Sequence, residues 1–346
     1  MIPAAFEGLD EGLVIVDWSG WLHSAFHIGG LDGMARLVLG QLVALLTPPA
    51  PRRVALAVDV RGPTHRHRMT ADLEPKLRYK AGRDARVLEF YSLAARLLDV
   101  AQLLRVPVLW PDYGEVQDWE ADDAAATATR LAVAAGWPVA LLSRDKDWRQ
   151  NVDDAARVIW WDGERKALDE AGVAQEHGVG PRLLADWLAI VGDTSDNVPG
   201  VRGLGPERAS AILLAWGSLD GALAAAPLTP AELEGEAKAL KEKRAALAKA
   251  KKKYENTTTL EAEVKAGTEG LSLWKGHWIL HQARASAELS KALVTLRSDC
   301  PIVWDPDEMI VGGWDREQVA KALINLGLGH LAADLEDGRP KRSHAA

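Results

Sequence analysis

Nine carboxylates are spaced along this chain in a way that suits metal binding. Three apolar runs (LVIVD, VALAVD and VALLSRDKD) each end in aspartate, WEADD is typical of the first turn of a helix, and GDTSDN places two more acids three residues apart. Clustered carboxylates repel one another unless a cation neutralises them. A set of oxygen donors favours Mg²⁺ or Mn²⁺ over zinc. The nine are Asp17, Asp59, Glu120, Asp122, Asp123, Asp145, Asp147, Asp193 and Asp196.

The size of this set predicts more than one ion. A single acid after a strand is often only a turn residue or a helix cap, and acids in the first turn of a helix complement its dipole. Turns, helix caps and helix dipoles do not explain nine such acids together. Nine is also more acids than a single ion needs as ligands. Two ions roughly 4 Å apart, flanking a phosphate, are the arrangement that nucleases and phosphatases use.

Four short apolar runs predict the strands that would position these acids. GLVIVDW, RVALAVDV, RVPVLWP and WPVALLSRD are rich in Val, Leu and Ile, and helical stretches separate them. This alternation predicts a buried, parallel α/β sheet, with the best helices at residues 87–104 and 120–136. Ligands of an open parallel sheet bind outside the carboxyl ends of its strands. We therefore expect the acids to share one edge.

The second half of the chain is predicted to be mainly helical. Strand-like runs thin out beyond a boundary near residues 176–181, and PRLLADWLAIVGD, GPERASAILLAWGSLDGALAAA and PAELEGEAKALKEKRAALAKAKKKYE have helical character. Between the first two lies a loop with glycines at positions 200, 203 and 205. Such a loop before a helix can bind phosphate through backbone N–H groups. Near the C-terminus, CPIVWDP resembles a strand and DREQVAKALINLGL an amphipathic helix.

Composition bounds the class of protein. With 346 residues, 48% of them hydrophobic, the chain is long enough for two domains. Its single cysteine, Cys300, excludes an internal disulfide framework and suits a reducing compartment. The first residues do not resemble a secretory signal, and we expect no apolar run to reach the length of a membrane span. No membrane partner is expected.

Charge is unevenly distributed, although the formal net charge is −8. Residues 61–90 hold eight basic and four acidic side chains, and residues 238–253 hold eight basic side chains and one acid. Net acidity taken alone argues against a nucleic-acid partner, whereas two basic segments favour one. A solvated helix face or loop explains each segment, taken alone, equally well.

Three motifs closely resemble those of the structure-specific 5′-nucleases, which include the 5′-nuclease domain of bacterial DNA polymerase I, phage 5′→3′ exonucleases and flap endonucleases. They are WEADDAAATATRLA, LLSRDKDWRQNV and DWLAIVGDTSDNVPGVRGLGPERASAILLAWGSLDGAL. The resemblance implies an α/β fold with a PIN-like, mostly parallel central sheet flanked by helices over residues 1–178. A basic arch segment would lie at about residues 61–90. Residues 179–346 would form a helical helix–hairpin–helix DNA-binding region, with a Lys-rich helix at about 231–253 and a C-terminal segment.

The resemblance also implies a role for each acid. Two Mg²⁺ ions are expected, for which Mn²⁺ would substitute. Asp122 would lie between the ions, and Asp123, although it belongs to the same group, is expected to support the ligands from behind. The ligands would be Asp17, Asp59, Glu120 and Asp122 at the first ion and Asp145, Asp147, Asp193 and Asp196 at the second.

DNA contacts are implied in the same way. Tyr79, Lys80 and Arg83 match residues near the scissile phosphodiester, and we expect Lys80 to stabilise developing charge on the phosphate. The GVRGLG hairpin would meet duplex phosphates through backbone N–H groups, with K⁺ as a candidate ion at the loop. Such contacts carry no base information. The residues expected to contact DNA are Gly200, Arg202, Gly203, Leu204, Gly205, Arg66, Arg68 and Arg78.

The chain departs from the family pattern at three places. Arg144 stands where a small residue is usual, and Trp148 stands where an aliphatic one is usual. The Lys-rich stretch 238–253 has no counterpart that we can align. We interpret it as an extra helix that touches the duplex backbone, with a solvated helix as the alternative.

The implied function is a metal-dependent, structure-specific 5′→3′ exonuclease and 5′-flap endonuclease that hydrolyses DNA by a two-metal mechanism. Its substrate would have a free 5′ end, a 5′ flap or a branched duplex, and it would act as a monomer in the cytoplasm of a bacterial or phage-infected cell. Three alternatives stay open: a non-catalytic binder of branched DNA, a PIN-type ribonuclease and a small-molecule metal hydrolase. The complete acid set argues against the first, the GVRGLG hairpin against the second, and the basic segments against the third.

Overall fold

The structure, a computed structural model, describes residues 11–47, 50–59, 62–82, 87–109, 118–164, 166–253 and 256–335. The strands are β1 (Leu13–Asp17), β2 (Arg53–Ala57), β3 (Val108–Leu109), β4 (Val139–Leu142), β5 (Val158–Trp161) and β6 (Ala167–Leu168). The helices are α1 (Trp18–Leu46), α2 (His65–Met69), α3 (Leu88–Leu103), α4 (Ala121–Ala134), α5 (Glu170–His177), α6 (Leu184–Val191), α7 (Pro206–Trp216), α8 (Leu219–Ala224), α9 (Pro230–Lys252), α10 (Thr258–Gln282), α11 (Arg284–Val294), α12 (Arg316–Asn325) and α13 (His330–Asp334).

The six strands form one sheet in the order β3-β2-β1-β4-β5-β6. All pairs are parallel except β5 with β6. The chain first builds outward from β1 through β2 to β3 and then returns to place β4 on the other side of β1. This reversal creates a switch point at the carboxyl ends of β1 and β4, which is where ligands of such sheets bind. The four predicted strands are confirmed, and β5 and β6 extend the sheet beyond them.

Helix α1 supplies much of the apolar cover for this sheet. By length and composition alone it could cross a membrane, which contradicts our expectation about apolar runs. The helix is interrupted at Gly30, whose φ of 58° and ψ of −159° are not helical. Trp18, Met34 and Leu42 are fully buried in a core that they share with sheet residues such as Val54. The apolar composition of α1 is therefore used for packing against the sheet.

The described residues divide into two compact units. The first comprises Met1–Asp72, Arg83–Val173 and Leu296–Ala346, and the second comprises Leu73–Gly82 and Ala174–Thr295. This differs from the contiguous division that we predicted at residue 178, because residues 73–82 group with the helical unit and residues 296–346 with the sheet. The C-terminal stretch is tied to the sheet by backbone hydrogen bonds: the N–H of Val54 donates to Met309 and the N–H of Val311 to Arg52.

The C-terminal stretch also corrects one predicted element. CPIVWDP was expected to be a strand, yet the structure has no strand among its residues. Instead, the Cys300 N–H donates to the Thr127 hydroxyl of α4. The amphipathic segment after it does form α12, whose Val319 and Leu323 are buried in the first unit's core.

The second unit is built from helices. Helix α6 packs against α11 and α7, and α10 packs against α7 and α9. Leu188, Ile212, Leu280 and Leu293 are almost fully buried where these helices meet. The helices predicted beyond residue 180 are confirmed, with GPERASAILLAWGSLDGALAAA divided into α7 and α8 at Gly217, which adopts a left-handed φ of 77°.

Candidate functional site

Three aspartates lie at the switch point of the sheet, each at or just beyond the carboxyl end of a strand. Asp17 is the last residue of β1, and Asp59 and Asp145 lie shortly beyond β2 and β4. The strands end level with one another, because Asp17 pairs with Ala57 and the preceding Val16 pairs with Leu142. The parallel register therefore brings acids from three separate strands to one edge, as the sequence predicts.

Hydrogen bonds hold Asp17 and Asp145 in a fixed relation. The Ser143 hydroxyl donates to Asp17 Oδ2 at 2.7 Å and accepts the N–H of Asp145 at 2.9 Å. The other Asp17 oxygen accepts the Gly20 N–H at 2.7 Å and so caps the start of α1. Asp145 in turn accepts the N–H of Asp147 at 2.9 Å. Ser143 was not among the predicted site residues, although its place directly after a buried strand was a usable signal.

The start of α4 lies next to the end of β2 and adds further acids there. Asp59 accepts the Ala121 N–H at 2.9 Å, which joins the end of β2 to the first turn of α4. Glu120 caps that helix and accepts the buried Thr64 hydroxyl at 2.7 Å. The sequence of α4 is Ala-rich, which favours a helix, and its acids sit at the positive end of the helix dipole. Local sequence therefore determines where Glu120 and Asp122 lie.

Asp123 has a different environment from the other acids. It is fully buried, and both of its oxygens accept from the Arg66 guanidinium, at 2.7 and 2.8 Å. The N–H of Glu120 donates to one oxygen and the N–H of Arg297 to the other, at 3.1 and 3.0 Å. These four donors occupy the carboxylate. Asp123 is therefore not placed to ligate a metal ion directly. This geometry agrees with the expectation that Asp123 supports the metal ligands through hydrogen bonds.

Arg66 is accordingly not a DNA contact. Its side chain is 2% exposed and also lies 3.6 Å from a Glu120 oxygen. We predicted a phosphate contact because Arg66 belongs to a basic segment, and that prediction is wrong. Its charge is balanced inside the protein by two buried acids.

Trp148 is the unusual residue of the site. Its side chain is fully buried, and its indole N–H donates to Asp122 Oδ1 at 2.7 Å. An aliphatic residue could not make this hydrogen bond. Trp148 stands where the family usually has an aliphatic residue. It therefore adds a hydrogen bond to Asp122, the acid expected to lie between the ions.

Burial raises the pKa of the Asp17 carboxyl to about 7. Hydrogen bonds from Gly20 and Ser143 oppose this rise, and the negative charges of Asp145 and Asp59 add to it. A carboxylate that is buried among other carboxylates is costly to ionise unless a cation is present.

The donor set fits divalent ions of the Mg²⁺ type. All the candidate ligands are carboxylate oxygens, which these ions prefer. Within the described ranges, no three Asp, Glu, His or Cys side chains converge closely enough to enclose an ion by themselves. Mg²⁺ usually keeps several waters and takes only one or two carboxylates together with substrate phosphate oxygens. An open set of acids suits that mode of binding.

The raised pKa of Asp17 predicts a pH dependence for metal binding. Between the usual aspartate value of 3.8 and about 7, the folded, metal-free protein keeps a proton that the unfolded chain releases. The contribution of Asp17 to the free energy of unfolding therefore falls as pH rises through that window. At low pH, a divalent ion must displace the proton of Asp17 in order to bind. We expect Mg²⁺ to raise the melting temperature more at about pH 8 than at about pH 5.5. Calorimetry of the wild type and of Asp17→Asn measures this, and equal shifts at both pH values in the wild type would contradict it.

In the second unit, Asp193 and Asp196 lie on one tight loop. The backbones of Asp193 and Val198 exchange two hydrogen bonds, at 3.1 and 2.7 Å, which close the loop. Asp193 accepts both the N–H and the hydroxyl of Ser195, at 2.7 and 2.6 Å. Asn197 adopts a left-handed φ of 57°, which asparagine tolerates better than most residues.

Tyr79 and Lys80 pack on that same loop. The Tyr79 hydroxyl donates to Asp196 Oδ2 at 3.0 Å, and Lys80 Nζ lies 3.9 Å from the same oxygen. The Lys80 N–H donates to the Asp196 carbonyl at 2.9 Å. The structure thus joins two predicted catalytic residues to a predicted metal ligand that follows more than a hundred positions later in the chain. Arg83 lies outside the described residues.

The glycine loop has a buried part and an exposed part. Gly200 has a φ of 63°, and a Cβ there would lie 2.6 Å from the Gly192 nitrogen. Its N–H donates to the Ser290 hydroxyl at 3.0 Å, so that N–H is already used and a DNA contact by Gly200 is not supported. Leu204 is buried, so its side chain is not available for the predicted DNA contact. Arg202, Gly203 and Gly205 are exposed ahead of α7, where phosphate could approach.

Comparison with known proteins assigns the family. Residues 13–178 match the family model described as "5'-3' exonuclease, N-terminal resolvase-like domain", and residues 179–271 match "5'-3' exonuclease, C-terminal SAM fold". The chain belongs to the 5′-3′ exonuclease family. The predicted family, the mostly parallel sheet flanked by helices and the helical second region are confirmed, and the members of this family are nucleases.

Relatives of this 5′-3′ exonuclease family member include much longer proteins. DNA polymerase I of Pseudomonas aeruginosa is 34% identical over 214 residues, which are 59% of this chain and 22% of that protein. DNA polymerase I of Chloroflexus aurantiacus is 28% identical over 333 residues, or 92% of this chain and 30% of that protein. The chain thus spans less than a third of either relative.

A solved structure supports the fold of this family member. The bacteriophage T5 flap endonuclease, in a complex with DNA and metal ions, superposes with a TM-score of 0.57 at 17% identity. The match covers 94% of this chain and 97% of that one. The T5 protein thus has the same fold over nearly its entire length.

Two further basic residues of this exonuclease-family chain were predicted to contact DNA. Arg68 is 43% exposed and forms an ion pair with Asp118. Arg78 is exposed, and its Nε donates to the Leu73 carbonyl at 3.1 Å. Unlike Arg66, both side chains are accessible to solvent, so their predicted DNA contacts stay predictions.

Proposed function

We propose that this protein is a divalent-metal-dependent 5′→3′ exonuclease and 5′-flap endonuclease acting on DNA. The observation that carries the proposal is that Asp17, Asp59 and Asp145 follow three neighbouring strands at the same carboxyl edge of the sheet. Their mutual repulsion contributes to the raised pKa of Asp17, as expected for a site that a cation completes.

The proposed division of the acids between two ions is the one that the family motif implies. Asp17, Asp59, Glu120 and Asp122 are assigned to one ion, and Asp145 and Asp147 to the other. The contribution of Asp193 and Asp196 to the second ion stays a prediction from the family motif. When bound, the ions would supply the activated water and the charge stabilisation that phosphodiester hydrolysis needs.

The chain's own residues orient this set. Ser143 and Gly20 fix both oxygens of Asp17, and Trp148 fixes one oxygen of Asp122. Arg66 and Thr64 position Glu120. Lys80, which Asp196 positions, is the residue that we assign to stabilising charge on the scissile phosphate.

The finer features of the activity belong to the same proposal. Mg²⁺ is the proposed ion, with Mn²⁺ able to replace it and K⁺ at the glycine loop. DNA with a free 5′ end, a 5′ flap or a branched duplex is the proposed substrate, with a 5′-phosphate and a 3′-hydroxyl as products. We propose that the protein acts as a monomer in the cytoplasm of a bacterial or phage-infected cell.

The test is cleavage of an end-labelled 5′-flap duplex with Mg²⁺ and with EDTA. We expect Mg²⁺-dependent cutting near the junction. The Asp145→Ala variant should lose more than about a hundredfold in rate, because even residues that only orient metal ligands are worth about 10–100-fold. Asp32→Ala, which removes an exposed acid from α1, is the matched control and should cut like the wild type.

Two outcomes would reject this function. Tight binding without cutting, in Mg²⁺ and in Mn²⁺, would make the protein a non-catalytic binder of branched DNA. Cutting that is equally fast in EDTA and in Asp145→Ala would reject the metal site.

A further inference from the structure

Helix α9 carries two sets of basic side chains that face different surroundings. The first set, which we term the seam residues, faces α10 and is paired. Lys243 Nζ lies 3.5 Å from a Glu263 oxygen, and Lys251 Nζ lies 2.7 Å from a Glu261 oxygen. Arg244 completes this set by donating to the Thr268 hydroxyl at 3.1 Å. The acids of α10 therefore neutralise one side of the Lys-rich segment.

Packing defines which side of α9 points away from α10. Leu240 and Ala250 are the buried residues of α9. A Cβ on Gly267 of α10 would lie 3.2 Å from Leu240 Cδ1, so the two helices are in direct contact there. The face opposite Leu240 and Ala250 is exposed.

The second set of basic residues occupies that exposed face. At about 100° per residue, its four lysines lie within an arc of about 80°, opposite the buried side. They extend over about 21 Å at 1.5 Å per residue. All four are exposed, and none of them forms an ion pair with another described residue. This lysine stripe consists of Lys238, Lys241, Lys249 and Lys252.

The pattern is not that of an ordinary solvated helix. Such a helix usually pairs lysines with glutamates four residues away. Only Lys238 has acids at that spacing, Glu234 and Glu242, whereas the other three lysines have alanine, lysine or asparagine there. In a chain of net charge −8, Lys241, Lys249 and Lys252 thus form a local positive surface without acids at that spacing.

A row of cations of this length fits a polyanion. A small anion would need donors that converge on one point, whereas these lysines point outward from a straight helix. Duplex DNA carries one negative charge per about 1.7 Å of its axis, so a row of about 21 Å meets many phosphates.

The stripe and the glycine loop belong to the same compact unit. Gly276 of α10 packs closely on α7 and the loop, because a Cβ there would lie 3.3 Å from Ile212 and 3.6 Å from Leu204. Helix α10 therefore contacts both the glycine loop and α9, the helix that carries the lysine stripe. We infer that the lysine stripe of α9 binds the sugar-phosphate backbone of duplex DNA, as a contact additional to the glycine loop. This inference rests on the proposed function, since it names a second surface for the same substrate.

The test compares two charge-neutralising variants. In the stripe variant, the four stripe lysines become glutamine, and in the seam variant Lys243, Arg244 and Lys251 become glutamine. Fluorescence anisotropy in EDTA measures binding to a 5′-flap duplex between about 50 and 200 mM NaCl. The stripe variant should bind at least about tenfold more weakly, and the slope of log affinity against log salt should fall by about 3–4. The seam variant should keep the wild-type slope, and thermal melting should show both variants folded.

The outcomes distinguish a failure of the lysine-stripe inference from a failure of the proposed nuclease activity. An unchanged slope in the stripe variant, or an equal loss in both variants, overturns the inference. Stripe-dependent binding to anionic phospholipid vesicles without an effect on DNA also overturns it. If the wild type cuts the flap with Mg²⁺ but the stripe has no effect, only this inference fails. If the wild type binds DNA through the stripe but never cuts, only the proposed activity fails.

Discussion

Replacing Arg66 with methionine should destabilise the first unit by about 3–5 kcal/mol. Methionine keeps the length of the side chain but removes the guanidinium that bonds both Asp123 oxygens at 2.7 and 2.8 Å. Asp123 is fully buried, so it would be left as a buried charge with only backbone donors. Urea unfolding of the two proteins measures the difference in free energy.

Arg68→Met is the matched control, because Arg68 lies two positions away and the side chains of its ion pair with Asp118 are 43% and 36% exposed. Exposed pairs contribute about 0–1 kcal/mol, so this variant should unfold almost like the wild type. If Arg66 instead contacted DNA, Arg66→Met would keep its stability and lose about one unit of the salt slope of DNA binding. That result would reject the structural role.

Replacing Trp148 with phenylalanine should weaken metal binding by about 10–100-fold. Phenylalanine keeps an aromatic ring in the buried site but removes the indole N–H that donates to Asp122 at 2.7 Å. Without that donor, Asp122 loses one of the contacts that orient its carboxylate toward the proposed metal site. The Mg²⁺ concentration at half-maximal flap cleavage should rise accordingly, and excess Mg²⁺ should restore much of the rate.

Trp187→Phe controls for the loss of a buried indole. Trp187 is 8% exposed and donates to the Ser210 hydroxyl at 3.0 Å, within the helical unit. It should lower stability without changing the Mg²⁺ requirement. Melting curves with and without Mg²⁺ give a readout that is independent of cleavage. If Trp148→Phe and Trp187→Phe show the same Mg²⁺ dependence, Trp148 acts only through packing.

The sheet and its acids were predictable because their signals are local. A strand buried on both faces requires a continuous apolar run, and β1, β2 and β4 each show one that ends near an aspartate. The first turn of α4 is also local, since Glu120 caps the helix that its own sequence forms. Strands β5 and β6 were missed because VIWW and AL are too short to show a period.

The family, the order of the main elements and the acids of the candidate site could be predicted from the sequence, since each depends on residues close together in the chain. The role of each charged side chain, by contrast, depends on contacts between residues far apart in the chain. Arg66 and Arg68 each add one positive charge to the same basic segment. Arg66, however, bonds the buried carboxylate of Asp123, which lies 57 positions later in the chain. Likewise, only the packing of α9 on α10 divides one Lys-rich segment into a neutralised seam and an exposed stripe. The physical reason is that the energy of a charge depends on burial and on partners distant in sequence.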